Sequence, residues 1–409
     1  MGAAMLDTLA PQPADALLAL IKLHDSDPRA DKVDLGVGVY RTDSGATPVF
    51  AAIKAAERRL LAEQDSKAYL GPEGDMGFVA ALMPWIFGEA GYLPRIQGMQ
   101  TPGGTGAVRL AAALAAKGGA KRVHMGVPSW PNHKQIFDDL GLQCAAFEHA
   151  TPDGAANLDA VLAAIGSAGA DEAVLLHGCC HNPTGIDYTP EQWRAIAGAL
   201  AKSSALPILD LAYHGLGRGM EEDVAGLRVV LAAVTQALVA YSCDKNFGLY
   251  RDRVGALYFM ASAPGQLATI ASNANALARA AWSMPPDHGA AAVRLILADA
   301  ELTAQWQAEL DTMRARMRRV RERLAAADNA APGLNLAAIG EGNGLFAMLP
   351  LGKDQIEALR RDHGVYMAGS GRINIAGLTE GNIDRFIAAL VALSADASAS
   401  VGAGASAGG

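Results

Sequence analysis

The chain has 409 residues, 51% of them hydrophobic and 19% charged, and this composition is typical of a globular protein of one large and one smaller domain. Its net charge of −8 argues against nucleic acid as the main partner, because phosphate backbones attract basic surfaces. No apolar run approaches the ~18 residues that suggest a membrane span, and the amino terminus lacks the pattern of a signal peptide, so we predict no membrane partner.

Predicted helices and strands alternate along the middle of the chain. Residues 101–119 combine a glycine-rich turn with a helix that ends in glycines. Residues 191–203 form a second predicted helix. Short apolar runs predict strands at 121–128, 172–180, 206–210, 236–242 and 254–259. This order predicts an α/β fold whose sheet is covered by helices on both faces.

The two chain ends lack the alternation of predicted strands and helices that marks the middle of the chain. Apolar residues recur at steps of three and four over 302–324, which predicts a long amphipathic helix. We place the arginines of its basic run, RARMRRVRER, on the solvent side rather than at a nucleic-acid site. A last helix is predicted over 380–393. The predicted domains are a large domain at 47–305, a small α+β domain built from 1–46 and 306–393, and a disordered low-complexity tail at 394–409.

Polar residues follow the ends of the predicted strands, where ligands bind in open α/β sheets. They are Asn182, Asp210, Ser242 and Lys245. A lysine becomes a Schiff-base nucleophile when burial or nearby charge favours its neutral form. Arg253 could supply that charge and hold a phosphate, and the glycine-rich GGTGA opens a helix whose N–H groups form an anion site. One lysine, one aspartate and one phosphate cradle are the parts needed to hold pyridoxal phosphate.

Seven sequence motifs occur in order between about residues 31 and 393. They are LGVGVYR (35–41), PSWPNH (128–133), HNPTG (181–185), DLAY (210–213), SCDKNFGLYRDRVG (242–255), SMPPDHG (283–289) and SGRINIAGL (370–378). Together they resemble the motifs of the class I, fold-type I pyridoxal-phosphate aminotransferases, in the aspartate and aromatic branch. The resemblance implies a mostly parallel sheet of the seven-stranded type. It also implies ping-pong transfer of an amino group from aspartate, glutamate or an aromatic amino acid to a 2-oxo acid such as 2-oxoglutarate.

The resemblance implies a role in cofactor binding and catalysis for each matching residue. Lys245 matches the lysine that bonds the cofactor and moves the proton, and Asp210 matches the carboxylate that faces the ring nitrogen. Tyr213 and Asn182 match the groups that bond the phenolic oxygen of the ring. The other implied contacts are Gly104, Thr105, Ser242 and Arg253 on the phosphate, Tyr69 on the phosphate of the neighbouring subunit, Trp130 stacked on the ring and His133 behind Asp210.

The same resemblance implies the substrate contacts. Arg372 matches the arginine that grips the substrate α-carboxylate through two parallel hydrogen bonds. Arg279 matches an arginine that comes from the partner chain and receives a distal carboxylate, which implies a homodimer with shared active sites. Gly38 matches a backbone contact on the substrate side, where Trp130 and Asn182 also lie.

Several positions depart from the family pattern. His214 and Leu216 follow the DLAY motif where the family commonly has glutamine and phenylalanine, and Met284 stands where it often has asparagine. Ala68 removes a possible polar contact beside Tyr69. Met284 makes the pocket wall more apolar, which favours aromatic side chains over short dicarboxylates.

Three other functions remain open. Another fold-type I enzyme, such as a β-lyase or a decarboxylase, would use the same Lys245 and Asp210, although Arg279 favours an aminotransferase. A non-enzymatic pyridoxal-phosphate-binding regulator would need a DNA-binding domain, and no basic helix-turn-helix precedes the first motif. A dehydrogenase would need GxGxxG after a strand, which GGTGA does not supply.

Arg253 has an alternative role as well, since it could form a simple exposed ion pair with Asp252.

The four cysteines include the adjacent pair Cys179 and Cys180, which does not suit a disulfide framework and predicts a reduced, cytoplasmic chain. Together with His177 and His181, this pair resembles a metal-ligand cluster. Alternate residues of a strand point to opposite faces, so the four side chains would not converge. We therefore predict no metal site and place His177 under the cofactor.

Overall fold

A seven-stranded sheet forms the centre of the computed structural model, which describes residues 4–11 and 16–405. Across all its sheets, large and small, the described part of the chain has these strands: β1 (Val33–Asp34), β2 (Ile96–Pro102), β3 (Arg122–Val127), β4 (Gln143–Glu148), β5 (Glu172–His177), β6 (Leu206–Leu211), β7 (Ala237–Ser242), β8 (Val254–Met260), β9 (Phe346–Met348), β10 (Val365–Tyr366) and β11 (Arg372–Asn374). The order in the large sheet is β2-β8-β7-β6-β5-β3-β4, and β8 runs opposite to the other six strands. This arrangement confirms the predicted α/β fold.

Helices connect most of these strands. They are α1 (Ala16–Ser26), α2 (Ala51–Glu63), α3 (Met76–Phe87), α4 (Gly103–Lys117), α5 (Pro131–Asp139), α6 (Leu158–Ser167), α7 (Pro190–Leu200), α8 (Glu222–Ala233), α9 (Leu267–Ala281), α10 (His288–Ala298), α11 (Ala300–Ala326), α12 (Leu336–Glu341), α13 (Lys353–His363) and α14 (Ile383–Ala405). A capping box between Thr189 and Gln192, with proline at the first helical position, starts α7. None of the described helices has the length and apolarity that a membrane crossing requires.

Both faces of the large sheet are buried, each under its own layer of helices. Successive strand residues alternate between two hydrophobic clusters: Ile208 and Leu238 belong to one, and Leu209 and Val239 to the other. This alternation follows from the two-residue period of a strand. Continuous apolar runs such as ALVAY were therefore a correct signal for strands that are covered on both sides.

The amino-terminal and carboxy-terminal segments are joined by backbone hydrogen bonds. Strand β1 pairs in parallel with β10, with Val33 opposite Val365. The N–H of Asn374, at the end of β11, donates to the carbonyl of Leu35 at 2.8 Å. These contacts are consistent with a small domain built from both ends. Its boundaries stay predictions, and α11 runs without a break through the predicted boundary at residues 305–306.

Three local predictions differ from the structure. Strands β2 and β4 were not predicted, because IQGMQTP is interrupted by glycine and polar residues and β4 is a half-exposed edge strand. The strand predicted at 172–180 ends at His177. Helix α14 continues through 394–405, where we predicted a disordered tail, because this stretch is rich in alanine, the strongest helix former. Residues 406–409 lie outside the described part of the chain.

The arginine-rich run of α11 is only partly exposed. Arg316 and Arg321 are 4% and 1% exposed, so the prediction that these arginines face solvent was wrong for both. Arg321 donates to the carbonyl oxygens of Ile339, Asn343, Gly344 and Phe346. Arg316 donates to the carbonyls of Ala376 and Leu378 and to the Asp43 carboxylate. The sequence pattern did not show these partners because they lie 18 to 273 residues from the arginines.

Candidate active site

One cavity lies at the carboxyl ends of β5, β6 and β7 and collects most of the predicted site residues. Its lining includes Gly104, Thr105, Trp130, His177, Asn182, Asp210, Tyr213, Ser242 and Lys245, together with Val108, Ala212 and Asp244. These side chains meet because parallel strands place their carboxyl ends along one edge of the sheet. The cavity is therefore the place that the sequence predicted for the chemistry.

Lys245 follows the end of β7 and points its amine toward Tyr213. The Nζ atom lies 5.3 Å from the centre of the Tyr213 ring. Burial lowers the pKa of Lys245 and Arg253 adds to this effect, whereas Asp244 and Asp210 act in the opposite direction. The amine is therefore easier to deprotonate than an exposed lysine, as a Schiff-base nucleophile requires.

Asp210 lies at the end of a directed chain of hydrogen bonds. The backbone N–H of Asn182 donates to Nδ1 of His177, so the proton of His177 is on Nε2, which contacts Ser129 Oγ at 3.1 Å. Ser129 Oγ in turn contacts Nδ1 of His133 at 3.0 Å. His133 Nε2 donates to Asp210 Oδ2 at 3.1 Å. Burial alone would raise the pKa of Asp210, but the hydrogen bond from His133 and the other cationic neighbours, Lys245 among them, together outweigh it, and the pKa lies below its usual value.

Burial keeps His177, the first histidine in this series of hydrogen bonds, neutral. Burial lowers the pKa of His177 to about 3. His177 therefore carries no charge near neutral pH and acts as a fixed donor to Ser129. The sequence placed His133 correctly behind Asp210. It did not indicate Ser129, whose position inside the PSWPNH motif was its only signal.

Tyr213 and Asn182 present two donors on one side of the cavity. Asn182 Nδ2 lies 3.4 Å from the Tyr213 hydroxyl. Burial raises the pKa of Tyr213, so its hydroxyl keeps its proton. The Asn182 Oδ1 atom is buried and has no hydrogen-bond partner among the described residues. An unpaired buried polar atom is costly, which marks this wall as a place for a polar ligand.

Two glycines make room for an anion at the amino terminus of α4. Gly103 has φ +72°, and a Cβ there would lie 2.6 Å from Arg253 Nη2. A Cβ on Gly104 would lie 2.8 Å from the Cβ of Ser242. The free N–H groups of the first helical turn and the nearby guanidinium favour a phosphate. Together with Lys245, Asp210 and Tyr213, this cradle fits pyridoxal phosphate.

Arg253 pairs with a carboxylate that the sequence analysis overlooked. Its Nη1 donates to Oδ2 of Asp244 at 2.5 Å, so the ion pair considered for Arg253 forms with Asp244 rather than with Asp252. Asp244 is 2% exposed, and its Oδ1 accepts the N–H of Val254 at 3.1 Å. Its position directly before Lys245 was the available signal.

Arg372 borders the same region from β11 and lies over an aromatic ring. Its guanidinium carbon is 4.4 Å from the centre of the Phe346 ring, and Nη2 donates to the Gly36 carbonyl at 2.8 Å. Burial lowers the pKa of Arg372. A Cβ on Gly38 would lie 2.8 Å from Phe346 Cζ, so Gly38 leaves room for the ring. Phe346 lies outside every motif and was not predicted.

Tyr69 and Arg279 lie outside the cavity of the single chain. Tyr69 is 93% exposed, and the exposed Arg279 donates to the Ser283 hydroxyl. The Leu70 N–H donates to the Met284 sulfur at 3.1 Å, so the loop that carries Tyr69 contacts the segment that follows α9, the helix that carries Arg279. The two side chains thus belong to one exposed surface of the chain.

The departure at His214 has a structural explanation. His214 Nε2 donates to the Met220 carbonyl at 2.6 Å, which leaves Nδ1 to accept the Tyr241 hydroxyl at 3.0 Å. Burial lowers the pKa of His214 to about 4, so the ring is neutral at physiological pH. Through this hydrogen bond His214, which directly follows Tyr213, is joined to β7, the strand that leads to Lys245.

The cysteine and histidine cluster differs from its predicted geometry. Because β5 ends at His177, Cys179, Cys180 and His181 lie in the following loop. Within residues 4–11 and 16–405, potential metal-ligand atoms of Cys179, Cys180 and Asp223 lie within 4.8 Å of one another. The Asp223 carboxylate already accepts the N–H groups of Gly215, Gly217 and Arg218. These contacts give the carboxylate a structural role in the loop.

Comparisons with known proteins agree with this geometry. The sequence pattern of the family "Aminotransferase class I and II" matches residues 30–390. The chain is 50% identical to the tyrosine aminotransferase of Rhizobium meliloti (strain 1021), over 91% of this chain and 96% of that protein. It is 40% identical to the aspartate aminotransferase of Escherichia coli (strain K12), over 95% of this chain and 100% of that protein.

A solved structure shows the same fold. The aromatic-amino-acid aminotransferase of Burkholderia pseudomallei, covalently bound to pyridoxal phosphate, matches with a TM-score of 0.91 and 32% identity, over 96% of this chain and 100% of that chain. These relatives are all aminotransferases, which favours transamination over a β-lyase or decarboxylase activity. The chain belongs to the class I and II aminotransferases, the enzymes that move amino groups with pyridoxal phosphate.

Proposed function

We propose that this aminotransferase moves the amino group of aspartate, glutamate or an aromatic amino acid to a 2-oxo acid such as 2-oxoglutarate by a ping-pong mechanism. The observation that carries the proposal is the convergence of the Lys245 amine, the Asp210 carboxylate and the Tyr213 hydroxyl in one cavity. The names of the relatives support both substrate classes, because they include a tyrosine and an aspartate aminotransferase.

Three side chains carry the central chemistry. Bound pyridoxal phosphate supplies a ring that accepts the electron pair left when the substrate Cα–H bond breaks. Lys245 would hold the cofactor through its amine, and the same amine could move the proton released from the substrate Cα. Asp210, held anionic by His133, would face the ring nitrogen and favour its protonated form, because an opposite charge nearby stabilises the charged form. Tyr213 and the amide of Asn182 would donate to the phenolic oxygen of the ring.

The remaining cofactor contacts hold the ring and its phosphate in place. Trp130, directly before α5, lines the cavity and would stack on the ring. Gly104 and Thr105 offer the N–H groups of α4, and Ser242 adds a hydroxyl donor beside Gly104. Arg253 supplies the positive charge.

The substrate is held by its carboxylates. Arg372 binds the α-carboxylate through its planar guanidinium, which lies over the Phe346 ring in a cation–π contact. Gly38 lies against the same ring and keeps a backbone edge open to the substrate. Arg279 receives the distal carboxylate of aspartate or glutamate, and Met284 lines the same region with an apolar side chain that suits aromatic substrates.

The active form is a homodimer with shared sites. Tyr69 and Arg279 are exposed in the single chain, and each acts in the site of the partner subunit. The loop of Tyr69 contacts the segment after the helix of Arg279 through Leu70 and Met284, so one surface delivers both residues. The four cysteines lie in the described part of the chain and are free thiols, which suits the reducing cytoplasm.

The test follows the bound-cofactor absorbance with aspartate, glutamate, tyrosine and phenylalanine in turn. An amino acid that donates its amino group changes this absorbance without any 2-oxo acid present. Aspartate leading by about tenfold or more would identify a dicarboxylate enzyme, because one distal ion pair is worth roughly that factor. Equal or faster rates with aromatic acids would identify an aromatic enzyme. A purified protein that takes up no cofactor, or one whose Lys245→Ala variant keeps a borohydride-reducible link, would refute the proposal.

A further inference from the structure

The carboxylate of Asp244 lies inside the cradle that is expected to hold the phosphate. Asp244 is 2% exposed and lines the same cavity as Gly104 and Lys245. Its Oδ2 accepts Arg253 Nη1 at 2.5 Å, and its Oδ1 accepts the N–H of Val254 at 3.1 Å. Asp244 is thus fixed at both oxygens and already neutralises the arginine that the phosphate needs.

The position of this ion pair coincides with the anion site of α4. A Cβ placed on Gly103 would lie 2.9 Å from Asp244 Oδ2 and 2.6 Å from Arg253 Nη2. Both groups therefore lie directly against the first residue of the helix, whose N–H groups attract an anion. A phosphate bound to those N–H groups has the guanidinium on one side and a carboxylate close to it.

Burial affects the pKa of Asp244 more than the titratable groups around it do. Lys245 and Arg253 lower the pKa of Asp244, but burial is the larger effect and raises it above the ordinary value. Cys243 precedes it in the chain and Tyr250 lies in the loop before β8, and burial raises the pKa of both, so they are neutral. The first turn of α4 contributes only N–H groups and a hydroxyl.

We propose that Asp244 competes with the cofactor phosphate for Arg253, and that the site takes up one proton when the phosphate binds. A phosphate monoester carries a charge of about −1.5 to −2 near pH 7. The Asp244 carboxylate is buried, so a second anion beside the same arginine disfavours its charge, and one proton is gained by the Asp244–phosphate pair as a unit. The inference rests on the proposed assignment of Arg253 to the phosphate.

The consequence is a phosphate affinity that falls as pH rises. Where Asp244 is ionised in the free protein and the pair is protonated in the complex, the dissociation constant rises about tenfold per pH unit. Asp244→Asn removes the charge and keeps an oxygen for the Val254 N–H. Its complex is expected to be about tenfold tighter near pH 8, with a weaker pH dependence.

The experiment measures ligand binding to the full chain freed of cofactor. The ligand is deoxypyridoxine phosphate, which lacks the aldehyde and forms no bond with Lys245; inorganic phosphate is a second ligand. Calorimetry between about pH 6.5 and about pH 8.5, above the second ionisation of a phosphate ester, gives the affinity. Two buffers of different ionisation enthalpy give the number of protons taken up.

Asp252→Asn is the matched control, because it removes a carboxylate next to Arg253 in the chain but outside the ion pair. Proton uptake by the unaltered protein and by Asp252→Asn, with tighter binding and lost uptake in Asp244→Asn, supports the proposal. Unchanged uptake in Asp244→Asn overturns it, and Asp244 then only holds Arg253 in place. If thermal unfolding shows that Asp244→Asn is not folded, Asp244→Ser gives the same comparison. A failed half-reaction with amino acids would instead contradict the proposed function.

Discussion

The guanidinium carbon of Arg372 lies 4.4 Å over the centre of the Phe346 ring. The same ring lies 6.2 Å from the ring of Tyr213, measured between centroids, at an interplanar angle of 82°. Phe346 thus connects the arginine proposed for the substrate carboxylate with the tyrosine proposed for the cofactor. A cation over a desolvated ring is stabilised by about 1–2 kcal/mol, and this contact holds the guanidinium plane in position.

Phe346→Leu is expected to reduce kcat/KM for amino acids about fivefold to thirtyfold, because the lost contact leaves Arg372 less well oriented. Arg372→Lys is the comparison, since lysine has the charge without the planar fork, and its loss is expected to be larger. Steady-state kinetics with one amino acid and saturating 2-oxo acid measure both. A Phe346→Leu enzyme with unaltered kcat/KM would show that the ring only fills space.

Arg279→Ala is expected to weaken aspartate far more than phenylalanine. Removal of a charged hydrogen-bond partner costs about 1.5–3 kcal/mol, which corresponds to roughly tenfold to a hundredfold in kcat/KM for the dicarboxylate. Half-reaction rates with the two amino acids give the ratio. Arg109→Ala, which removes an arginine that pairs with Asp139 elsewhere in the chain, is the control for a change in total charge. Equal losses for both substrates would contradict the distal-carboxylate role.

Mixed dimers test the shared site. A dimer of one Tyr69→Phe subunit and one Lys245→Ala subunit has one site with native Lys245 and, from the partner subunit, native Tyr69. That site is expected to hold the cofactor as tightly as the unaltered enzyme, whereas the Tyr69→Phe homodimer binds it about tenfold or more weakly, because a hydrogen bond to a charged phosphate is lost. Cofactor titration of dimers carrying two different affinity tags measures this. A mixed dimer as weak as the Tyr69→Phe homodimer would mean that each site is built from one chain.

Arg321→Met is expected to destabilise the fold by about 3–5 kcal/mol, because the carbonyls between α12 and β9 that accept hydrogen bonds from Arg321 would be left buried and unpaired. Arg319→Met, on the same helix but exposed, is the control and is expected to change stability by less than about 0.5 kcal/mol. Denaturant unfolding of the cofactor-free chain measures both. Similar losses for the two variants would mean that Arg321 contributes no more than a surface residue.

Much of the site could be predicted from short stretches of sequence. Apolar runs that end in Asp210, and in Ser242 three residues before Lys245, mark the ends of two strands, because an apolar strand and its end are local features of the sequence. Parallel pairing then brings these ends to one edge of the sheet. The glycines that open α4 likewise predicted the anion site, because a Cβ at Gly103 would collide with the Arg253 guanidinium.

The sequence by itself therefore determined the fold class, the lysine and the carboxylate, through patterns that span a few residues each. Only the tertiary structure decided which charges pair and which rings meet. Arg253 pairs with Asp244 and not with its sequence neighbour Asp252, and Arg372 donates to the Gly36 carbonyl, 336 residues away. Such contacts depend on how distant segments pack, and no local period or motif encodes the distance between two side chains that the chain brings together only on folding.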